Sequence, residues 1–563
     1  MKTPPDPDRA AAEDLVEAEV GLEAGEEQPG PGLTPTDRPG RRRLAVSTAI
    51  FSVATGLSRI AGLAREVVAA NYFGIKGPMS AFTIAFGVPN LVRNLFADFA
   101  LQAAFVPVFT EQLERRGRIE AFRVASALAF LLAAVLGALT ALFILVAPLV
   151  MPLFAPGFGP QLQDLTVNLA QLLFPIVLLL GLSGLVVGIL NSFDVFGPGA
   201  IAPLFWNLAI IATLIFLTPQ FQGDDRIYAY AIGILIGTVI QLLLPLPWLR
   251  KTGFRLVRDF NWRDERVLRV LKLMLPVTLG LGLINFNLSV DSIFATLIND
   301  QAPAAIDKAF RIYMLPLGVF AVALSTVLFP AMSRFAARDD RAGLLRTVAA
   351  GNRQMLLLLV PASAGILALS EPITQVIYQR GAFDASQTKL VSDALFYFAF
   401  SLPFAGVNLV MIRAFFSVQR PWIPTLVALV NLGVNAALDA VLYEPLGIGG
   451  IPLATAIVSL LTTIALVLVM RERIGPLEVR RTAATALRIL AAGALLAAIA
   501  IGLRELLEGV LPDDFLGRLL VVLGAGGAGA LSYALAVLAM RVEEARQIAA
   551  LAGQGLRRVT GTR

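Results

Sequence analysis

Arg59 and Arg65 lie within the first long apolar segment of the chain, in Ser58-Arg59-Ile60-Ala61-Gly62-Leu63-Ala64-Arg65-Glu66. Arg93 lies within the second, in Pro89-Asn90-Leu91-Val92-Arg93-Asn94, and Arg311 early in a later one, in Phe310-Arg311-Ile312-Tyr313. A guanidinium near a bilayer midplane costs at least about 2.5–3.5 kcal/mol, so it persists where it meets water, a partner charge or a ligand. Arg59 stands sixteen residues past Arg43, the last of a basic collar. That is roughly 24 Å along a helix, too deep for easy snorkelling. The planar fork of arginine suits phosphate. Four such cations, with Asn90 beside Arg93, predict a wet cationic chamber in the membrane that holds a phosphate-bearing anion. Each arginine also has a structural reading: Arg65 paired with Glu66, Arg93 with Asp98, Arg311 snorkelling outward. Arg65 is six residues past Arg59, an offset of about 240° on a helix. A bend at Gly62 is therefore expected if both face one chamber.

A second constellation is acidic. Asp291 lies deep in Asn287-Leu288-Ser289-Val290-Asp291-Ser292, and Asn435 and Asp439 share one helical face at i and i+4. Thr455 opens the next apolar run. Two carboxylates, an amide and a hydroxyl form an oxygen-rich cage suited to a hard monovalent cation, Na+ first of all. The competing reading is that the aspartates are protonated or face an aqueous vestibule.

The elements that must carry these residues are transmembrane helices. The chain has 563 residues, 57% hydrophobic and 15% charged, where a soluble protein carries roughly 25% charged residues. Apolar runs of about 20 residues recur from Leu44 to Ala539, without the short alternation of barrel strands. The fold class expected is all-α integral membrane, with about fourteen spans in two six-helix lobes plus two C-terminal helices. The domain reading is an acidic disordered cytoplasmic tail (1–40), an N-lobe (41–250), a C-lobe (251–480), a final helix pair (481–545) and a cytoplasmic tail (546–563). Cations cluster in alternate loops, which places both termini in the cytoplasm. Arg353, Arg413 and Arg488 are expected to snorkel at cytoplasmic ends. Gly524-Ala525-Gly526-Gly527-Ala528-Gly529 reads as a helix-packing face. The net charge of +6 belongs to this orientation bias, so no nucleic-acid partner is expected.

The lobes carry a faint repeat. Ala103-Ala104-Phe105-Val106-Pro107 parallels Thr326-Val327-Leu328-Phe329-Pro330, and Ile201-Ala202-Pro203 before Asn207 parallels Trp422-Ile423-Pro424 before Asn431. Both offsets are near six spans. With no Cys and no His, disulfides, thiolate nucleophiles, Cys/His zinc sites and imidazole relays are excluded. No Walker motif occurs, so ATP hydrolysis by this chain is not expected.

Ser58-Arg59-Ile60, Gly62, Arg65-Glu66, Tyr72-Phe73-Gly74, Ala85-Phe86, Pro89-Asn90, Arg93 and Ala104-Phe105-Val106-Pro107 resemble the N-terminal signature of the MurJ (MviN) lipid II flippases, within the multidrug/oligosaccharidyl-lipid/polysaccharide exporter superfamily. Tyr378-Gln379-Arg380-Gly381-Ala382-Phe383 and Arg413-Ala414-Phe415-Phe416 resemble the second lobe. The resemblance implies a non-enzymatic, monomeric flippase of the bacterial cytoplasmic membrane. Its substrate would be lipid II, moved from the inner to the outer leaflet by alternating access, with the last two helices forming a groove for the lipid tail. It implies substrate-binding roles for Arg59, Arg65 and Arg311, with Arg93 as a further match. It also implies a sodium site on Asp291, Asn435, Asp439 and Thr455, with Ile451 at a backbone-carbonyl position. Ser80 and Asn94 stand where the family often has Asp and Arg.

Three rivals frame this expectation. A flippase for another polyprenyl-pyrophosphate-linked oligosaccharide would use the same cations. A cationic-drug exporter of the superfamily would want carboxylates in the N-lobe instead. A polyprenyl glycosyltransferase or ligase would need interfacial carboxylates, for which Asp513 and Asp514 are the paired acids in an external loop.

Overall fold

The computed structural model describes residues 38–96, 99–258 and 261–547. Within these, the side chains at 38–52, 94–96, 99–103 and 275–285 are outside the described set. Nearly all of both expected tails, and Asp98, lie outside it too. Every described regular element is helical. Nine stretches among the described residues are long and apolar enough to cross a membrane, ten if the bent pair Ala385–Ala399 and Leu402–Ser417 is one span. One stretch, Trp422–Arg473, has 52 residues and turns at Gly447, φ +52, so by length it holds two crossings. The described residues of the expected spans at 44–73, 81–110 and 269–298 are also helical; the first two carry Arg59, Arg65 and Arg93.

Contacts divide the chain into two compact units, Met1–Pro303 with Arg380–Phe383, and Ala304–Gln379 with Asp384–Arg563. The first contains helices α1 (Arg38–Phe73), α2 (Gly77–Phe96), α3 (Phe99–Arg116), α4 (Arg118–Phe154), α5 (Pro160–Leu173), α6 (Ile176–Asn191), α7 (Gly197–Leu217), α8 (Tyr228–Leu243), α9 (Leu246–Lys251) and α10 (Glu265–Ile298). Helix α7 packs against both α1 and α8. Helix α10, grouped with the second lobe by the sequence repeat, packs on α2, α3 and α4. Its start is capped by Asp264, whose carboxylate accepts from the Arg266 N–H at 2.9 Å. Ion pairs Arg266–Glu120 (3.0 Å) and Arg269–Glu111 (2.9 Å) tie it to α4 and α3. The short loop Arg380–Phe383 belongs here because the Ala382 N–H donates to the Asn71 carbonyl at 2.8 Å. Gly381 sits at φ +59, and a Cβ there would lie 2.4 Å from that same oxygen.

Helix α11 (Ala302–Pro316) starts at the unit boundary. The second unit continues with α12 (Val322–Ala337), α13 (Arg341–Tyr378), α14 (Ala385–Ala399), α15 (Leu402–Ser417), α16 (Trp422–Leu446), α17 (Gly450–Arg473), α18 (Val479–Glu508) and α19 (Phe515–Ala539). Helix α13 is its spine, contacting α12, α14, α15, α18 and α19. It kinks at Leu369 (φ −125°), three residues before Pro372, whose ring cannot sit under a regular preceding turn. The glycine run in α19 is a packing face, as expected. A Cβ on Gly529 would stand 3.2 Å from the Leu496 carbonyl of α18, and one on Gly526 would stand 3.5 Å from Leu369.

Candidate functional site

The first unit holds Arg59, Arg65, Asn90 and Arg93. Helix α1 is continuous across Gly62, whose bare α-carbon faces the Asn207 amide of α7; a Cβ would lie 3.9 Å from it. Gly62 thus stands within ordinary van der Waals reach of α7. Arg59 and Arg65 then follow the ordinary helical offset. Arg59 is exposed, while Arg65 is 8% and Glu66 3% exposed. The Arg65–Glu66 ion pair is 2.6 Å long, so the structural partner considered from sequence is present. The Arg65 Cζ lies over the Trp206 ring, 4.8 Å from its centroid. The Tyr230 hydroxyl donates to Glu66 Oε1 at 3.4 Å. Asn90 and Arg93 are half-buried on α2.

Arg311 belongs to the second unit. Its guanidinium grips the Asp307 carboxylate through Nε at 2.8 Å and Nη2 at 3.2 Å. It is thus held along its own helix rather than turned outward. Asp307 sits four residues earlier, a spacing visible in sequence. Next to it, Lys308 is fully buried, its ammonium 5.5 Å from the Tyr378 ring centroid. A lysine inside a helix of mixed polarity gave no signal of its own.

The oxygen-bearing residues belong to both units. Asp291 is buried in the first unit. In the second, Asn435 and Asp439 are both fully buried, and the Asn435 amide donates to Asp439 Oδ2 at 2.9 Å. Thr455 donates to the carbonyl of the buried Ile451 at 3.3 Å. The donor set is entirely oxygen, as a hard cation requires. No group of three or more Asp or Glu side chains is placed to hold a metal ion among the described residues.

One charge cluster differs from its expected place. Arg353 does not snorkel. It is 5% exposed, pairs with Glu478 at 3.0 Å and bonds Glu544 from the segment after α19. The partners stand 125 and 191 positions away, beyond any helical spacing rule. The acids weighed as catalytic have local partners: Asp514 caps α19 by accepting from the Gly517 N–H at 2.7 Å, and Asp513 pairs with Arg518 at 2.6 Å. That pairing holds the Asp513 carboxyl below its ordinary range.

Residues 69–519 match the family described as Lipid II flippase MurJ. The chain belongs to the MurJ family. A probable lipid II flippase MurJ of Treponema pallidum (strain Nichols) is 30% identical over 427 residues, covering 75% of this chain and 81% of that protein. The lipid II flippase MurJ of Burkholderia cenocepacia is also 30% identical over 427 residues, covering 74% and 82%. A solved lipid II flippase MurJ in an inward closed conformation superposes with a TM-score of 0.71 at 24% identity, over 86% of this chain and 98% of that one. An inward-facing multidrug resistance MATE family transporter of the MOP superfamily gives 0.61 at 15% identity, over 82% and 98%. The multi-pass MurJ fold is thus common to flippase and drug-exporter branches. Family membership, together with the sign of the charge in α1 and α2, selects the flippase branch.

Proposed function

We propose that the chain flips lipid II, the undecaprenyl-pyrophosphate-linked peptidoglycan precursor, from the inner to the outer leaflet of the bacterial cytoplasmic membrane by alternating access. The observation that carries this reading is membership of the MurJ family across residues 69–519. The physical task is to move a charged sugar-peptide without exposing it to hydrocarbon. Cationic side chains on membrane-spanning helices perform that task for a pyrophosphate, while the polyprenyl tail stays in lipid. Arg59 offers an exposed guanidinium on α1, with Arg93 and Asn90 on α2. Arg65 and Arg311 are poised against carboxylates, Glu66 and Asp307. A phosphate reaches them by exchanging for those acids, so no uncompensated charge is buried in the empty state.

Net movement needs an energy source that favours one state of the protein over the other. The membrane potential is one, at about 2.3 kcal/mol per charge per 100 mV. Na+ is the other. Asn435, Asp439, the Ile451 carbonyl and Thr455 would hold it; the burial of the first three and the all-oxygen chemistry of the set support the assignment. The bound ion would supply positive charge beside Asp439. The chain works as a monomer with both termini cytoplasmic, and forms no covalent product. The test is to deplete the protein from its host and identify the lipid-linked precursor that accumulates on the cytoplasmic side. Lipid II is expected; a different polyprenyl-linked oligosaccharide would reassign the cargo.

A further inference from the structure

Arg65 is surrounded by a built cradle that neither pairing nor helical spacing requires. Trp206 of α7 lies under its guanidinium. The indole is itself anchored: its N–H donates to Thr238 Oγ1 at 3.2 Å, and the fully buried Thr238 hydroxyl donates in turn to the Ile234 carbonyl at 2.7 Å. Gly237 supplies the room. A Cβ there would stand 3.0 Å from Trp206 Cδ1 and 2.9 Å from the Trp206 carbonyl oxygen, so only glycine lets α8 approach so closely. The same helix α8 holds the acid as well. Tyr230, 2% exposed, is stacked on Phe82 at 4.2 Å and directs its hydroxyl at Glu66.

The two halves of the ion pair are therefore held separately. A guanidinium restrained by its carboxylate alone would swing away once that carboxylate was exchanged for a ligand oxygen. One with an aromatic face beneath it keeps its plane, because the indole quadrupole attracts the cation whichever anion lies at the edge. We propose that Trp206, locked by Thr238 and Gly237, is a positioning residue that keeps Arg65 oriented while its partner changes from Glu66 to a pyrophosphate oxygen. The inference rests on the reading of Arg65 as a head-group ligand.

The test is a double-mutant cycle on equilibrium binding of lipid II to the full chain in lipid nanodiscs. Trp206→Leu is expected to weaken binding by roughly three- to thirty-fold, the span from an exposed to a desolvated cation–π contact. Trp206→Phe keeps a ring without its anchor and should fall between, with a melting temperature near wild type; it also serves if the leucine variant fails to fold. In an Arg65→Gln background, Trp206→Leu should change affinity by less than about two-fold, because the group it orients is gone. Arg65→Lys replaces Arg65→Gln if binding by the latter is too weak to measure. Equal weakening in both backgrounds, or no weakening in wild type, overturns the role of Trp206. Wild-type affinity in Arg65→Gln instead removes the head-group reading of Arg65, and the cradle's purpose with it.

Discussion

Arg353 offers a quantitative test of how the second unit is held together. Its side chain is 6% exposed and bonds two carboxylates, one equally buried (Glu544, 5%) and one nearer solvent (Glu478, 32%). Removing the cation by Arg353→Met strands the Glu544 charge, and breaking a buried pair in this way costs about 3–5 kcal/mol. Glu544→Gln leaves Arg353 bonded to Glu478. Only one charged hydrogen bond is then weakened, a loss of about 1.5–3 kcal/mol. Replacing both, as Arg353→Met with Glu544→Leu, removes the desolvation burden together with the attraction, and should return stability to within about 1 kcal/mol of the Arg353→Met parent's starting point, the wild type. The assay is reversible unfolding of the detergent-solubilised chain by SDS titration. Three equal destabilisations, or none, would refute the reasoning, since the ordering follows from which charge is left buried and alone.

Other perturbations address the site and its supports. Arg59→Ala should abolish complementation of a flippase-depleted cell while the protein still reaches the membrane; full complementation measured against an immunoblot would remove Arg59 from the mechanism. Asp439→Asn should reduce the Na+-dependent rise in thermal stability, and an unchanged Na+ response would reject the cation site. Gly381→Ala forces φ +59 on an L-residue and drives a Cβ to 2.4 Å from the Asn71 carbonyl; a loss of about 1–3 kcal/mol is expected in the same unfolding assay. The Asp264 carboxyl lies below its ordinary value, chiefly through hydrogen bonding from Arg266. Its stabilising contribution is thus full above the unfolded carboxylate value of about 3.9 and is lost as pH falls through the lower folded value. Asp264→Asn, which still caps α10, should flatten that acid limb of the stability profile.

Local rules carried far in this chain and then stopped. Apolar runs located the helices because lipid demands internally satisfied backbone. The glycines of α19 announced a packing face because close approach needs small side chains. The pairing of Arg65 with Glu66 is visible from adjacency, and that of Arg311 with Asp307 from their i, i+4 spacing. Arg353 had no such signal, since Glu478 and Glu544 come from remote turns. The cradle of Arg65 was equally hidden, because Trp206, Tyr230 and Thr238 read as ordinary apolar-helix residues until α7 and α8 pack on α1 and α2. The oxygen cluster was legible within α16, where i and i+4 fix the geometry.

The central claim is that membrane-embedded guanidinium groups recognise the pyrophosphate of the cargo. It is tested most directly by comparing the affinity of the purified chain for lipid II with that for a synthetic counterpart whose diphosphate is replaced by a neutral linker, in wild type and in Arg59→Ala/Arg65→Gln. The account predicts a preference of about a hundred-fold or more for the diphosphate in wild type, of the order of two charge-assisted contacts, and its collapse in the double variant. Equal affinity for the two lipids, or a preference that survives loss of both arginines, would contradict it.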